Sequence, residues 1–251
     1  MTNNTDFTGQ VVVFVGAGNG IGRASLKLVS DRGGRVIALD NNKEALDALA
    51  KEFNLNANQV FTLDVSQEEN VRSAIATIFA QEKRIDALVN SAGMTGPTNR
   101  KLEEITWPEY EKTLRVNLFG TIWLTQQVIP IMKAQKYGRI VHVASIAGKE
   151  GNPGMAPYNT SKAGMIGFVK GIAKEVAPDG VIINAVAPAV IRTPMNATTS
   201  EETLKYMIAR IPLGRVGEAE EVAETIAFMA SRACSFTTGF TFDTSGGRAT
   251  Y

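Results

Sequence analysis

The chain has 251 residues, 44% hydrophobic and 20% charged, which leaves room for one sizeable globular core or two small ones. Its 26 Lys plus Arg nearly balance 25 Asp plus Glu, and the absence of a long basic run argues against nucleic acid or an anionic membrane as the main partner. The single cysteine, Cys234, excludes an intrachain disulfide and fits a reducing compartment. It lies among small residues with no adjacent histidine, so it reads as buried filler. The polar start, Met1 to Gln10, lacks the basic and apolar regions of a signal peptide. No run approaches the length of a membrane span, so a soluble, cytoplasmic protein is expected.

Along the chain, short β-branched runs alternate with longer amphipathic segments. The pattern predicts a strand at 11–15, a helix from about 21 to 31, a strand at 35–39 and a helix from about 43 to 53. A strand at 59–63 and a helix from about 68 to 81 follow. Strands at 86–89 and 138–143 flank a long helical region from about 107 to 136. A helix from about 157 to 177 leads into a strand at 181–186, and a helix from about 220 to 231 precedes a short strand at 240–242. Such alternation implies right-handed βαβ units. The reading is an α/β fold, one doubly wound parallel sheet of about seven strands with helices on both faces, spanning residues 1–251 as a single domain. The connection from 188 to 217 breaks the rhythm with Pro188, Pro194, Pro212 and a helical patch near 201–209. A connection that long beside a strand's carboxyl end reads as a substrate-covering loop.

The first strand runs into Gly16-Ala17-Gly18-Asn19-Gly20-Ile21-Gly22 and then a helix. Glycines allow positive φ and close backbone approach, and the helix N-terminus offers free N–H groups to a pyrophosphate. Strand, glycine loop and helix in that order are what a dinucleotide site requires. Asp40 ends the second strand at the spacing of an acid that grips a ribose 2′-hydroxyl. A carboxylate there repels the 2′-phosphate of NADP, and residues 17–19, 41 and 42 include no base to offset it, so NAD is the expected cofactor. The competing reading makes Asp40 a turn or helix-cap residue.

Tyr158 and Lys162 stand one helical turn apart, with Ser145 upstream. A cation beside a phenol favours the phenolate, which suits it to exchange a proton with a substrate oxygen. The same spacing also occurs on solvated helix faces. His142, the one histidine, falls inside a predicted strand and reads as structural, satisfied by a neighbouring backbone group. No His, Cys or carboxylate cluster has metal-ligand spacing, so no catalytic metal is expected. Ser145 lacks the Gly-x-Ser-x-Gly elbow of a hydrolase nucleophile.

Taken together these residues resemble the short-chain dehydrogenase/reductase family over essentially the whole chain. Gly16, Gly20 and Gly22 match its Gly-x-x-x-Gly-x-Gly pattern, and Asn90-Ser91-Ala92-Gly93 is one substitution from its Asn-Asn-Ala-Gly motif. Asp64-Val65 resembles its adenine-side contact, and Pro188 to Thr193 its Pro-Gly-x-x-x-Thr segment over the nicotinamide. The resemblance implies a single-domain Rossmann fold and hydride transfer between nicotinamide and a carbonyl or secondary alcohol. It implies Asn117, Ser145, Tyr158 and Lys162 as the catalytic group. Cofactor contacts would come from Gly16, Asn19, Gly20, Ile21, Gly22, Asp40, Asp64, Val65, Asn90, Ala92, Gly93, Tyr158, Lys162, Pro188 and Thr193. Tyr158 would carry the proton, Lys162 would bind the nicotinamide ribose, Ser145 would bond the substrate oxygen, and Asn117 would hold a relay water. Two departures stand out: Val15 where the family often has Thr, and Ala189 in place of Gly after Pro188.

The substrate mouth is expected at 95–99, 146–152 and 189–195, with Lys149, Glu150, Asn152 and Arg192 making it polar. That favours a small polar metabolite, such as a sugar-derived acid, with Arg192 as candidate carboxylate partner. The alternatives are a 3-oxoacyl-thioester (acyl-carrier-protein) reductase, disfavoured by Asp40, and a non-catalytic dinucleotide sensor, disfavoured by Tyr158 and Lys162. The family also implies a homotetramer, with Tyr251 at a terminus that often meets a neighbouring subunit.

Overall fold

In the computed structural model, which describes residues 6–194 and 199–251, the chain crosses one sheet again and again in the same direction. The strands are β1 (Val11–Val15), β2 (Arg35–Asp40), β3 (Val60–Thr62), β4 (Ala87–Asn90), β5 (Gly138–Val143), β6 (Val181–Pro188) and, after the two-residue β7 (Ile191–Arg192) and β8 (Gly217–Glu218), β9 (Thr241–Thr244). Seven of them form a parallel sheet in the order β3-β2-β1-β4-β5-β6-β9. Helices α1 (Gly20–Asp31), α2 (Lys43–Glu52), α3 (Glu68–Glu82), α4 (Trp107–Leu114), α5 (Gly120–Gln135), α6 (Ala147–Glu150), α7 (Ala156–Val176), α8 (Glu201–Ile208) and α9 (Ala219–Ala230) connect them.

Alternation along each strand divides the core. Val11, Val13 and Val15 join Ile37, Leu39, Leu88 and Ile140 beneath α3, α5 and α7. Val12, Phe14, Val36, Val89 and Val141 point the other way, towards α1, α2 and α9. Strands buried on both faces read as continuous apolar runs, and this is why VVVFV carries no polar residue. The chain winds outward from β1 in one direction and from β4 in the other. The crevice between them, at the carboxyl ends of adjacent parallel strands, is where open α/β sheets bind ligands.

Element boundaries moved where side chains intervene. The strand expected at 59–63 keeps only 60–62, because Gln59 turns in a 3₁₀ segment and its Nε2 donates to the Val36 carbonyl at 2.9 Å. The strand expected at 86–89 shifts to 87–90, since Asp86 caps the ladder with its carboxylate, accepting the Val11 amide at 2.8 Å. The long helical region at 107–136 is interrupted by a π-helical turn at Arg115–Phe119. The described residues of the connection after β6 are packed together. Val190, Ile211 and Val216 form a small core with Leu204, Met207 and Ile208, and β7 pairs with β8. Among the described residues no helix is long and apolar enough to cross a membrane.

Asp86 is 1% exposed, and besides Val11 it receives the fork of Arg84 at 2.6 and 2.8 Å. Asp86→Ala strands a buried amide and frees the arginine, so urea unfolding is expected to show a loss of about 3 kcal/mol.

Candidate active site

A cleft of about 600 Å³ opens at the carboxyl ends of the strands. Its floor is the glycine loop. Gly16 has φ +77°, and a Cβ there would sit 2.6 Å from the Ala92 amide nitrogen, so β1 and β4 approach only because this residue lacks a side chain. A Cβ on Gly22 would collide with the Gly16 carbonyl and the Ser91 hydroxyl. Ser91 Oγ donates towards the Val15 and Gly16 carbonyls at 3.0 and 3.1 Å. The residue that departs from the family's second asparagine thus ties down the loop in which Val15 has no hydroxyl. Asn19 precedes α1 but makes no side-chain cap, and the first turn holds no acid. The amides of Gly20, Ile21 and Gly22 are therefore left free to donate to a phosphate group.

Asp40 lines the same cleft. Its two oxygens accept the Gly18 and Asn42 amides, each at 2.9 Å, while Asn42 rather than Asp40 caps α2. A carboxylate has about four acceptor positions, so two remain for vicinal hydroxyls. Asp64 and Val65 lie on the cleft wall, and Asp64 also accepts the Ser66 amide at 2.9 Å. Ala92, Gly93, Pro188 and Thr193 line it too. The glycine cradle, the open helix terminus and the remaining acceptors of Asp40 fit a dinucleotide. Asn90 is placed differently. It is 2% exposed behind the wall, accepting the Ala92 amide and donating to Thr121, so it supports the loop from beneath.

Ser145, Tyr158 and Lys162 meet at the inner end of the cleft. Ser145 leaves β5, and its Oγ accepts the Ala147 amide at 3.1 Å. Tyr158 and Lys162 share a face of α7, with the ammonium 5.7 Å from the ring centre. Lys162 is 4% exposed and donates to the Val143 carbonyl at 2.7 Å. Burial lowers its pKa to about 8. Desolvation pushes the Tyr158 pKa up, and the Ser145 hydrogen bond pulls it the other way.

Asn117 is buried beside this group. Its amide donates to the Met94 carbonyl at 2.9 Å and to Ser161 at 3.0 Å, and its oxygen accepts the Met94 amide at 2.8 Å. The side chain clamps the loop after β4 to the helix turn that carries Lys162, with both hydrogens of its amide used. Gly93 passes beside this clamp, where a Cβ would lie 3.3 Å from Asn117 Oδ1 and 3.5 Å from Lys162 Nζ. His142 is fully buried and pairs through Nε2 with the Thr125 hydroxyl at 3.0 Å, a side chain rather than the backbone group expected. Thr125 gives its proton to the Thr121 carbonyl at 2.7 Å, so the imidazole donates from Nε2 and keeps Nδ1 as an unpartnered acceptor. Burial first, and the nearby Lys162 second, hold its pKa down to about 3.

Of the three segments expected at the mouth, the one at 189–195 lines the cleft, through Ala189, Ile191, Thr193 and Pro194. Residues 95–99 and 146–152 lie off the cleft wall, where Met94 and Lys112 stand instead. Lys112 is an exposed helix lysine with no distinguishing sequence context, and only the tertiary fold brings it there. Lys149 pairs with Asp243 at 2.9 Å, and Arg248 spans Glu150 and Asn152. Arg192 bonds Glu218 at 3.1 Å on an exposed ribbon. Tyr251 folds back on its own chain, donating to the Lys149 carbonyl at 2.6 Å. Met195 lies outside the described residues.

Burying Lys162 costs stability wherever it stays protonated. The drop from 10.5 to about 8 corresponds to about 3 kcal/mol, against about 1 for the Val143 bond. Lys162→Met is therefore expected to raise unfolding stability at pH 7 by about 2 kcal/mol. The penalty is complete below pH 8. It fades towards 10.5, where the folded state has already released the proton that the unfolded chain still binds, so wild type gains on the variant across that window. Chemical denaturation at pH 7 and pH 10 checks both the sign and the window.

Comparison with known proteins agrees with this geometry. Residues 16–249 match the family model described as Enoyl-(Acyl carrier protein) reductase. The chain is 40% identical over 245 residues to the 2-dehydro-3-deoxy-L-rhamnonate dehydrogenase (NAD(+)) of Sphingomonas sp. (strain SKA58), covering 98% of this chain and 97% of the relative. It is also 40% identical over 241 residues to the 3-oxoacyl-[acyl-carrier-protein] reductase FabG of Thermotoga maritima, covering 95% and 97%. Among solved structures, that of gox2181 superposes with a TM-score of 0.93 at 32% identity, covering 98% of this chain and 97% of that one. A glycine cradle at the switch point, an acid closing β2 and a serine, tyrosine and lysine at the inner end of one cleft thus accompany whole-length similarity, and the chain belongs to the short-chain dehydrogenase/reductase family.

Proposed function

We propose that this protein is an NAD-dependent alcohol dehydrogenase or carbonyl reductase acting on a small polar metabolite, a sugar-derived acid. The observation that carries the reading is the meeting of the cradle, Asp40 and the Ser145–Tyr158–Lys162 group in one cleft. Bound NAD supplies or accepts the hydride. The remaining work falls to the chain. Amides of the glycine loop hold the pyrophosphate, and the spare acceptors of Asp40 hold the adenosine ribose hydroxyls and repel a 2′-phosphate. Lys162 holds the nicotinamide ribose, and Pro188 and Thr193 close over the nicotinamide. Tyr158 gives its proton to the carbonyl oxygen in reduction and takes the hydroxyl proton in oxidation. Ser145, whose hydroxyl accepts the Ala147 amide and hydrogen-bonds Tyr158, turns to the substrate oxygen, where charge develops. Asn117 sets the distance between the cofactor loop and α7. Pro188, Ala189, Ile191, Thr193 and Pro194 line the site from the start of the connection after β6 and would help keep water from it.

The NAD(+) dehydrogenase relative supports the sugar-acid reading, and Asp40 supports the cofactor. A second reading, reduction of a 3-oxoacyl thioester, is supported by the equally similar FabG relative. We also propose a homotetramer, supported by the aromatic rings of Phe228, Phe240 and Phe242 packed edge-on along the outer strand β9, with Phe236 fully exposed nearby.

A screen of purified protein against sugar acids and 3-oxoacyl thioesters, with NAD and NADP and read at the NADH absorbance, decides among these. Turnover of a sugar acid with NAD is the expected outcome, and a clear preference for NADPH with the thioester would overturn it. Tyr158→Phe is expected to lower kcat by about 10³-fold while NADH affinity stays within about twofold. Near-full activity in that variant would remove the proton-transfer mechanism. Light scattering on the same sample reads the assembly, and a monomeric mass would rule out the tetramer.

A further inference from the structure

The last residues of a domain are poorly ordered unless something ties them down, and this chain's end is tied to the segment that joins Ser145 to Tyr158. Arg248 is the centre of the attachment. Its side chain is 6% exposed, with Nε donating to Glu150 Oε2 and Nη2 to Asn152 Oδ1, both at 2.9 Å. These two partners flank Gly151, whose φ is +72° and whose amide makes the last bond of α6 to the Ala147 carbonyl, so the planar guanidinium fork braces the turn at which that short helix ends.

Both sides of that turn lead to the proposed reacting groups. Upstream, the short α6 begins from Ser145, whose hydroxyl accepts the Ala147 amide and whose carbonyl accepts the Gly148 amide at 2.9 Å. Downstream, Asn152 is locked to Asn159 by a reciprocal pair. Its amide donates to Asn159 Oδ1 at 3.1 Å, and its carbonyl accepts from Asn159 Nδ2 at 2.8 Å. Asn159 is the residue after Tyr158. Ser145 and Tyr158 are therefore held at the two ends of one braced segment, and the brace comes from the far end of the chain. The tail is itself secured. The Ala249 amide donates to Ser245 Oγ at 3.1 Å, and the Leu213 amide donates to the Gly246 carbonyl at 3.2 Å, which joins the tail to the end of the connection after β6.

We infer that Arg248 is a positioning residue, which sets the separation of Ser145 and Tyr158 through Glu150, Asn152 and Asn159 without touching substrate. The inference rests on the proposed hydride-transfer reading for its kinetic consequence, while the brace itself is a property of the fold. Misplacing a reacting group by about 1 Å costs about 100-fold in rate.

The test uses the full-length chain with Arg248→Ala, Arg248→Lys and, as a surface control, Lys27→Ala. Arg248→Ala is expected to lower kcat about 10- to 100-fold with NADH affinity within about twofold, Arg248→Lys to recover part of the loss, and Lys27→Ala to match wild type. In hydrogen exchange the amides of Ala147, Gly148 and Asn152 should exchange about tenfold faster in Arg248→Ala, with the strand amides unchanged. Wild-type kcat and wild-type protection would overturn the inference, as would protection lost evenly across the sheet. If Arg248→Ala does not fold, Asn152→Ala deletes one arm of the brace and must give the same selective loss at Ala147 and Gly148. Absence of turnover in wild type would defeat the reaction reading alone, because the exchange arm decides the brace independently.

Discussion

The whole site depends on one close backbone approach, that of Gly16 to Ala92. β1 and β4 are neighbours in the sheet, yet the chain leaves them in opposite directions, and their exits part at the switch point. No side chain fits between Gly16 and the Ser91–Ala92 peptide, nor between Gly22 and the Gly16 carbonyl. Glycine at these places is a packing requirement before it is a phosphate motif. Because α1 can then start directly against the loop, its unpaired amides face the cleft. The Ser91 hydroxyl fastens the same point from the β4 side, where it compensates for the missing hydroxyl of Val15.

The inner end of the cleft is governed by desolvation. Lys162, Tyr158 and His142 all respond to burial in the direction that disfavours charge. The lysine's ammonium is held by a carbonyl rather than by a carboxylate, so no counter-ion offsets the penalty. A side chain retained against such a cost is characteristic of function, since stability alone would select an apolar residue there. Around it, the Asn117 clamp and the Thr121, Thr125 and His142 bonds form a polar underlayer that fixes α5 and α7 to the sheet.

Length, composition and periodicity made the architecture legible because each element answers to a local rule. Val11–Val15 is apolar on both faces since both faces are covered, and the glycine loop is recognisable by its place between a strand and a helix. Asp40, Ser145, Tyr158 and Lys162 were legible for the same reason: their spacings are set within single strands, loops or helix turns. Boundaries shifted wherever a side chain replaced a backbone partner, as at Gln59 and Asp86, which no periodicity reveals.

Sequence alone determined the fold class, the glycine loop between strand and helix and the identity of the groups that line the inner cleft, since these follow from short-range pattern and covalent spacing. Only the tertiary structure decided what those groups face. It turned Lys162 to Val143, spent the amide of Asn117 on Met94 and Ser161, and placed Asn90 behind the wall. It also gave Lys149, Glu150, Asn152 and Arg192 each a partner distant in the chain. A charge's role depends on which opposite charge the fold brings within about 4 Å, and the partners here lie from 26 to 98 residues away in sequence.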